Sequence, residues 1–115
     1  MSSSRRDDAP TLTVIWWRDI PAQVVAKSGR VNAKAELSQR FQLAIDRAAM
    51  EAGLFGTDDY LNEWRRDARP CGTDLDAEVA SEARRLEETF PSALLNARTT
   101  NGGFDPDSQQ RENEK

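Results

Sequence analysis

The run Thr11-Leu12-Thr13-Val14-Ile15-Trp16-Trp17-Arg18 constrains this chain more than any other stretch. It is dense in β-branched and aromatic residues and carries no helix cap, so it predicts a strand with a buried centre. Alternation places Leu12, Val14 and Trp16 on one face and Thr13, Ile15 and Trp17 on the other. That second face is too apolar to be wholly solvated. Asp19-Ile20-Pro21 then turns the chain, because proline disfavours helix at the residue before it and supplies no amide donor. Gln23 to Lys27 reads as a second strand and Ser28-Gly29 as a hairpin signal. Val31, Ala33, Ala35 and Leu37 alternate with polar residues as a third strand, although Ala33 to Glu36 tolerate helix as well. The following helix therefore starts either near Asn32 or at Ser38.

Three amphipathic segments follow. Leu37, Phe41, Ala44, Ile45, Ala48 and Ala52 form one stripe at helical spacing, with Ser38 as cap and Gly53 as stop. Thr57 is placed to cap a short helix with Asp58 and Asp59 in its first turn and Arg65 and Arg66 in its last, an arrangement that suits the helix dipole. Tyr60, Leu61 and Trp64 would line its inner face. After the break at Arg69-Pro70-Cys71-Gly72, Thr73 caps a helix whose stripe is Leu75, Val79, Ala83, Leu86 and Phe90, and Pro91 ends it. A last turn around Ala93-Leu94-Leu95 tucks against the core. These stripes are buried together by an α+β fold, a small antiparallel sheet of about three strands packed on one side by two or three helices.

The length of 115 residues suits a single core. Residues 1–10 and 98–115 are polar and rich in Ser, Asp, Gly and Gln, and too few apolar groups are present to offset the entropy of ordering them. They are expected to be disordered tails around one domain spanning residues 11–97. No apolar run is long enough to span a membrane, and the N-terminal stretch lacks the apolar core of a secretory signal.

There is no histidine. The usual general base and the commonest metal ligand are therefore missing, and triads built on histidine are impossible. Cys71 is the lone cysteine, so no internal disulfide or multi-cysteine metal site can form, which fits a cytoplasmic, bacterial-type protein. No catalytic, cofactor or metal residues are assigned. A net charge of −4 argues against a general affinity for nucleic acid, and Lys34, Arg40 and Arg47 make only a thin basic patch. Cys71 has no histidine to activate it. Asp58, Asp59, Asp74 and Asp76 are first of all helix-starting acids.

The best candidate surface is the rim where the first strand enters its turn. Arg18 can clamp a carboxylate or phosphate there, oriented by Asp19 and Gln23, with Arg65 as a second cation. Alternatively, Arg18 and Asp19 pair internally with Asp46 or Glu63. Of Trp16 and Trp17, one belongs to the core and the other offers a flat docking surface. The binding set is Trp17, Arg18, Asp19, Gln23 and Arg65, for a protein partner or, in the alternative, a small anionic ligand.

Three ordered blocks carry a family resemblance. They are Val14-Ile15-Trp16-Trp17-Arg18-Asp19-Ile20-Pro21-Ala22-Gln23-Val24-Val25, the segment Leu37 to Met50, and Asp58-Asp59-Tyr60-Leu61-Asn62-Glu63-Trp64-Arg65-Arg66. Over roughly residues 11 to 67 the chain resembles the small bacterial virulence factor domain family; the part after Pro70 is less similar. In related proteins this domain accompanies a NifU-like scaffold domain and helical repeats, and stand-alone members lie beside genes for folate-linked and corrinoid methyl transfer. The resemblance implies an accessory or scaffold role and carries over no reaction and no catalytic residue.

Overall fold

The computed structural model describes residues 9–106. In chain order the elements are β1 (Thr11–Trp17), β2 (Ile20–Ser28), β3 (Val31–Glu36), α1 (Gln39–Glu51), α2 (Asp58–Asn62), β4 (Trp64–Pro70), α3 (Leu75–Thr89) and α4 (Ser92–Thr100). The strands form one antiparallel sheet in the order β3-β2-β1-β4, giving the expected α+β arrangement with a fourth strand added.

That extra strand is the main difference from expectation. Residues 64–70 are not the end of a helix: α2 stops at Asn62, and Trp64 to Pro70 pair with β1 from Trp17↔Trp64 to Thr11↔Pro70. Arg and Ala favour helix locally, but the free edge of β1 offers a full ladder of backbone partners, and tertiary pairing outweighs propensity. Five of the seven residues of β4 are charged or proline, as suits an edge strand, and Leu61 on the shortened helix is left exposed.

The other boundaries shift by a residue or two. β2 already starts at Ile20, so Pro21 lies inside a strand; a register shift opposite Ile15 and Trp16 leaves Ala22 unmatched, which accommodates the missing amide donor. Helix α1 begins after Ser38, not near Asn32, and the hydroxyl of Ser38 donates to Glu87 Oε1 at 3.0 Å instead of capping its own helix. Thr57 does cap α2, accepting from the Tyr60 amide. Asp74, not Thr73, caps α3 by accepting from the Ala77 amide, since a carboxylate meets the helix dipole better than a hydroxyl.

The core follows from strand alternation. Leu12, Val14, Val24, Ala26 and Ala33 turn inward under α3, which crosses β2 and β3, while Phe41, Ile45 and Ala48 on α1 join them with Leu86, Phe90 and Leu95 from the last two helices. Phe90 is the hinge of this packing, its ring edge-on to both Trp16 and Phe41. Residues 98–106, expected in the C-terminal tail, fold back onto the domain: α4 runs on to Thr100 and Gly103 is buried. The remaining tail expectations, for residues 1–8 and 107–115, lie outside the described residues.

One acid is buried. Glu82 on α3 is only 5% exposed and is held by Arg85 from its own helix and Arg69 from β4, the latter at 3.1 Å. The Arg85 hydrogen bond, aided by the charges of Arg85 and Arg69, outweighs burial and holds its carboxyl below the ordinary Glu value of 4.5. This triad fastens the exposed edge strand to the helical layer.

Phe41 is fully buried, so Phe41→Ala should lower unfolding stability by about 3–5 kcal/mol, measured by urea titration. For Glu82, the folded state favours the carboxylate, so its contribution is complete above pH 4.5 and fades as acid protonates it at the lowered folded value. Glu82→Gln should accordingly cost about 1 kcal/mol at neutral pH, with the gap to wild type closing as pH falls below 4.5 in thermal melts.

Candidate functional site

The turn after β1 carries the sequence-predicted rim. Arg18 sits at φ 53, a conformation unfavourable for a residue with a Cβ, and the turn is held there by contacts from three directions. Its amide donates to the Glu63 carbonyl at 3.2 Å, its Nε to Glu63 Oε1 at 3.1 Å and its Nη1 to the Gly102 carbonyl at 2.8 Å. The guanidinium lies between two rings, 5.1 Å from Trp17 and 4.4 Å from Phe104. Of the two internal partners foreseen, Glu63 is the one used; Asp46 instead accepts from Gln42.

Asp19 is equally engaged. Its carboxylate accepts from the Asp105 amide at 2.8 Å and meets Arg65 Nη2 at 3.5 Å, its amide donates to the Gly103 carbonyl, and its own carbonyl accepts from Arg98 Nη1 at 2.6 Å. Arg98, 15% exposed, reaches Asp105 Oδ2 as well and lies over the Phe90 ring. Residues 98–105 thus form a clasp around the turn that sequence patterning missed. The available signal was Phe104, an aromatic directly after Gly102-Gly103 in an otherwise polar stretch.

The two tryptophans divide differently from expectation. Trp17 is fully buried: its indole N–H donates to the Tyr60 carbonyl at 2.9 Å, its ring packs on Tyr60, and Gly103 presses against it. Trp16 is half-buried against Phe90 with Arg65 over its face at 5.1 Å, and its indole N–H has no partner among the described residues. Neither is a flat exposed platform. The tryptophan that borders open space is Trp64, half-buried and edge-on to Tyr60.

Gln23 and Arg65 are placed apart from the buried indole of Trp17. Together with Ile15, Trp64 and Arg66 they line an open groove of about 470 Å³ on the sheet face opposite α3. An adjoining groove of about 390 Å³ continues from Ile15 and Gln23 to Glu36, Gln39 and Gln42. So the rim set splits: Trp17, Arg18 and Asp19 are locked by their own chain, whereas Gln23 and Arg65 border accessible space.

The remaining candidates are plain. Arg40 and Arg47 line one shallow cleft between α1 and α4, but Arg40 is spent on Glu87 and the Phe90 carbonyl and Lys34, on β3, does not line it, so the three-residue basic patch does not assemble. Cys71 is half-exposed, and burial, then Glu78, push its thiol above the ordinary value despite Arg69, which lowers its reactivity. Among the described residues no helix is long and apolar enough to cross a membrane.

A sequence model of the family described as Virulence factor matches residues 15–97. The chain belongs to the virulence factor family. The match reaches past Pro70 through α3 and into α4, further than the three sequence blocks extend, so the second half is as much part of the domain as the first. Comparison with curated proteins and with solved structures gave no significant match. The clasp at residues 98–105 lies beyond the matched span of this virulence factor chain.

The clasp depends on Gly103. It sits at φ 99, and a Cβ there would come within 2.8 Å of the Trp17 ring. Gly103→Ala should therefore destabilise the fold by roughly 1–3 kcal/mol. The check is a denaturant titration with Gly102→Ala alongside, whose Cβ meets nothing closer than 3.4 Å.

Proposed function

We propose that this virulence factor domain is a non-catalytic accessory module that works by protein–protein contact at the groove bordered by Gln23, Trp64 and Arg65. The observation that carries this reading is the open groove of about 470 Å³, where the apolar side chains of Ile15 and Trp64 adjoin cations on a rigid strand scaffold. Aromatic, aliphatic and arginine side chains are the ones that dominate interface energetics. Arg18 and the clasp play the supporting part, holding the turn so that a partner meets a preformed surface and little ordering entropy is lost on docking. The family resemblance sets folate-linked or corrinoid methyl transfer as the setting in which the partner is sought.

The test is a photo-crosslinking amino acid at Gln23, with Glu88 on the exposed side of α3 as the control position. A discrete protein adduct from Gln23 and none from Glu88 is the expected outcome; its absence in cells of the native host counts against docking. In parallel, thermal-shift screening with folates, phosphates and cobalamin derivatives distinguishes the small-ligand reading built on Arg18, Asp19 and Gln23. A ligand at a hundredfold its Kd stabilises by about 2.7 kcal/mol, so a shift of that size in the panel favours an anionic-ligand carrier instead.

A further inference from the structure

The cross-strand register defines what the open face presents. Side chains opposite each other in an antiparallel pair point the same way, so Glu36, Gln23, Ile15 and Arg66 form one row and Lys34, Val25, Thr13 and Ala68 the next. A third row adds Lys27, which is flanked by Thr11 and Asn32. The centre of this surface is apolar: Thr13, Ile15 and Val25 are only half-buried, although their alternates Leu12, Val14 and Val24 are enclosed. Around that floor stand three exposed cations, Lys27, Lys34 and Arg66, against the single acid Glu36. None of the three cations is in an ion pair among the described residues.

This balance reverses that of the whole chain, whose net charge is −4. Charges on edge strands commonly guard against strand-to-strand aggregation, which accounts for Lys34 on β3 and Arg66 on β4. Lys27 stands on the inner strand β2, between β1 and β3, where no edge needs guarding. A basic rim around an apolar floor is instead the complement of an acidic segment with interspersed apolar residues.

Resting on the docking reading above, we infer that the open sheet face made by Ile15, Val25, Lys27, Lys34 and Arg66 binds an acidic, leucine-type apolar segment of a partner protein. Leucine-sized side chains settle on Ile15, Val25 and the Trp64 groove, and carboxylates meet the three cations. A second copy is the poorer occupant because two faces of the same sign would meet. Nucleic acid is also poorer, because a chain with net charge −4 repels phosphate and the face borders one half-exposed indole and no series of stacking rings.

The experiment uses the purified full chain and fluorescence anisotropy with a labelled peptide alternating Glu and Leu. The expected result is saturable binding that weakens as salt rises and falls at least tenfold, about 1.4 kcal/mol, in the Lys34→Glu, Arg66→Glu double variant. Arg84→Glu, an exposed change on α3, should leave the affinity unaltered, and circular dichroism melts verify that each variant folds. The inference is overturned by no binding, by equal binding of the matching Lys-Leu peptide, or by affinity insensitive to the double reversal. Tighter binding of oligo-dT, or a dimer in sedimentation that the reversal dissolves, overturns it in favour of the other occupants. A Gln23 crosslink in cells combined with failure of the peptide would retain docking and remove the acidic occupant. Peptide binding without any cellular crosslink would do the opposite.

Discussion

Backbone pairing along both sides of β1 is the constraint on which the other elements depend. Every residue from Thr11 to Trp17 is matched to β4, and to β2 across one bulge, so this strand fixes the register of the sheet in both directions. A one-residue slip would carry Leu12 and Val14 out of the core and put Thr13 and Ile15 in, so alternation and pairing enforce each other. Everything placed on the rim inherits its position from that register: Arg65 lies beside Trp16, and Trp64 beside Trp17, because β4 is aligned residue by residue with β1.

The helical layer is held by different means. Apolar stripes bring α1 and α3 together around Phe41 and Phe90, and arginines finish the joints: Arg40 reaches the Glu87 and Phe90 carbonyls, and Arg69 reaches Glu82. Arginine suits this use because its planar fork serves several acceptors at once while its stem and face cover rings, as Arg40 does over Phe41 and Arg98 over Phe90. Several of the cations that give the sequence its charged look are therefore mortar, which is why charge counts alone say little about its surface.

Those features were legible in the sequence to different degrees, for physical reasons. β1, the hairpin that follows it and the stripes of α1 and α3 were readable because apolar periodicity records burial directly. β4 was not, because Trp64 to Pro70 is exposed on nearly every residue and carries no alternation; only the partner strand gives it its conformation. The cap of α3 was misplaced by one residue because Thr73 and Asp74 are both good caps. The clasp escaped notice since its stability comes from contacts up to 86 positions away in the chain, which no local window contains. Of the binding set, Gln23 and Arg65 border the groove, and Trp17, Arg18 and Asp19 turn inward.

The clasp also has a bearing on how the protein is made. The turn at Arg18 and Asp19 precedes its hydrogen-bond partners at Gly102, Gly103 and Asp105 by 84 to 86 positions in the chain. During synthesis the left-handed Arg18 and the indole of Trp17 must wait without their final covering, while strands and helices assemble around them. The turn therefore closes only after residues 102–105 have been made, and until then Arg18 and Trp17 lack the covering that Gly102, Gly103 and Phe104 supply.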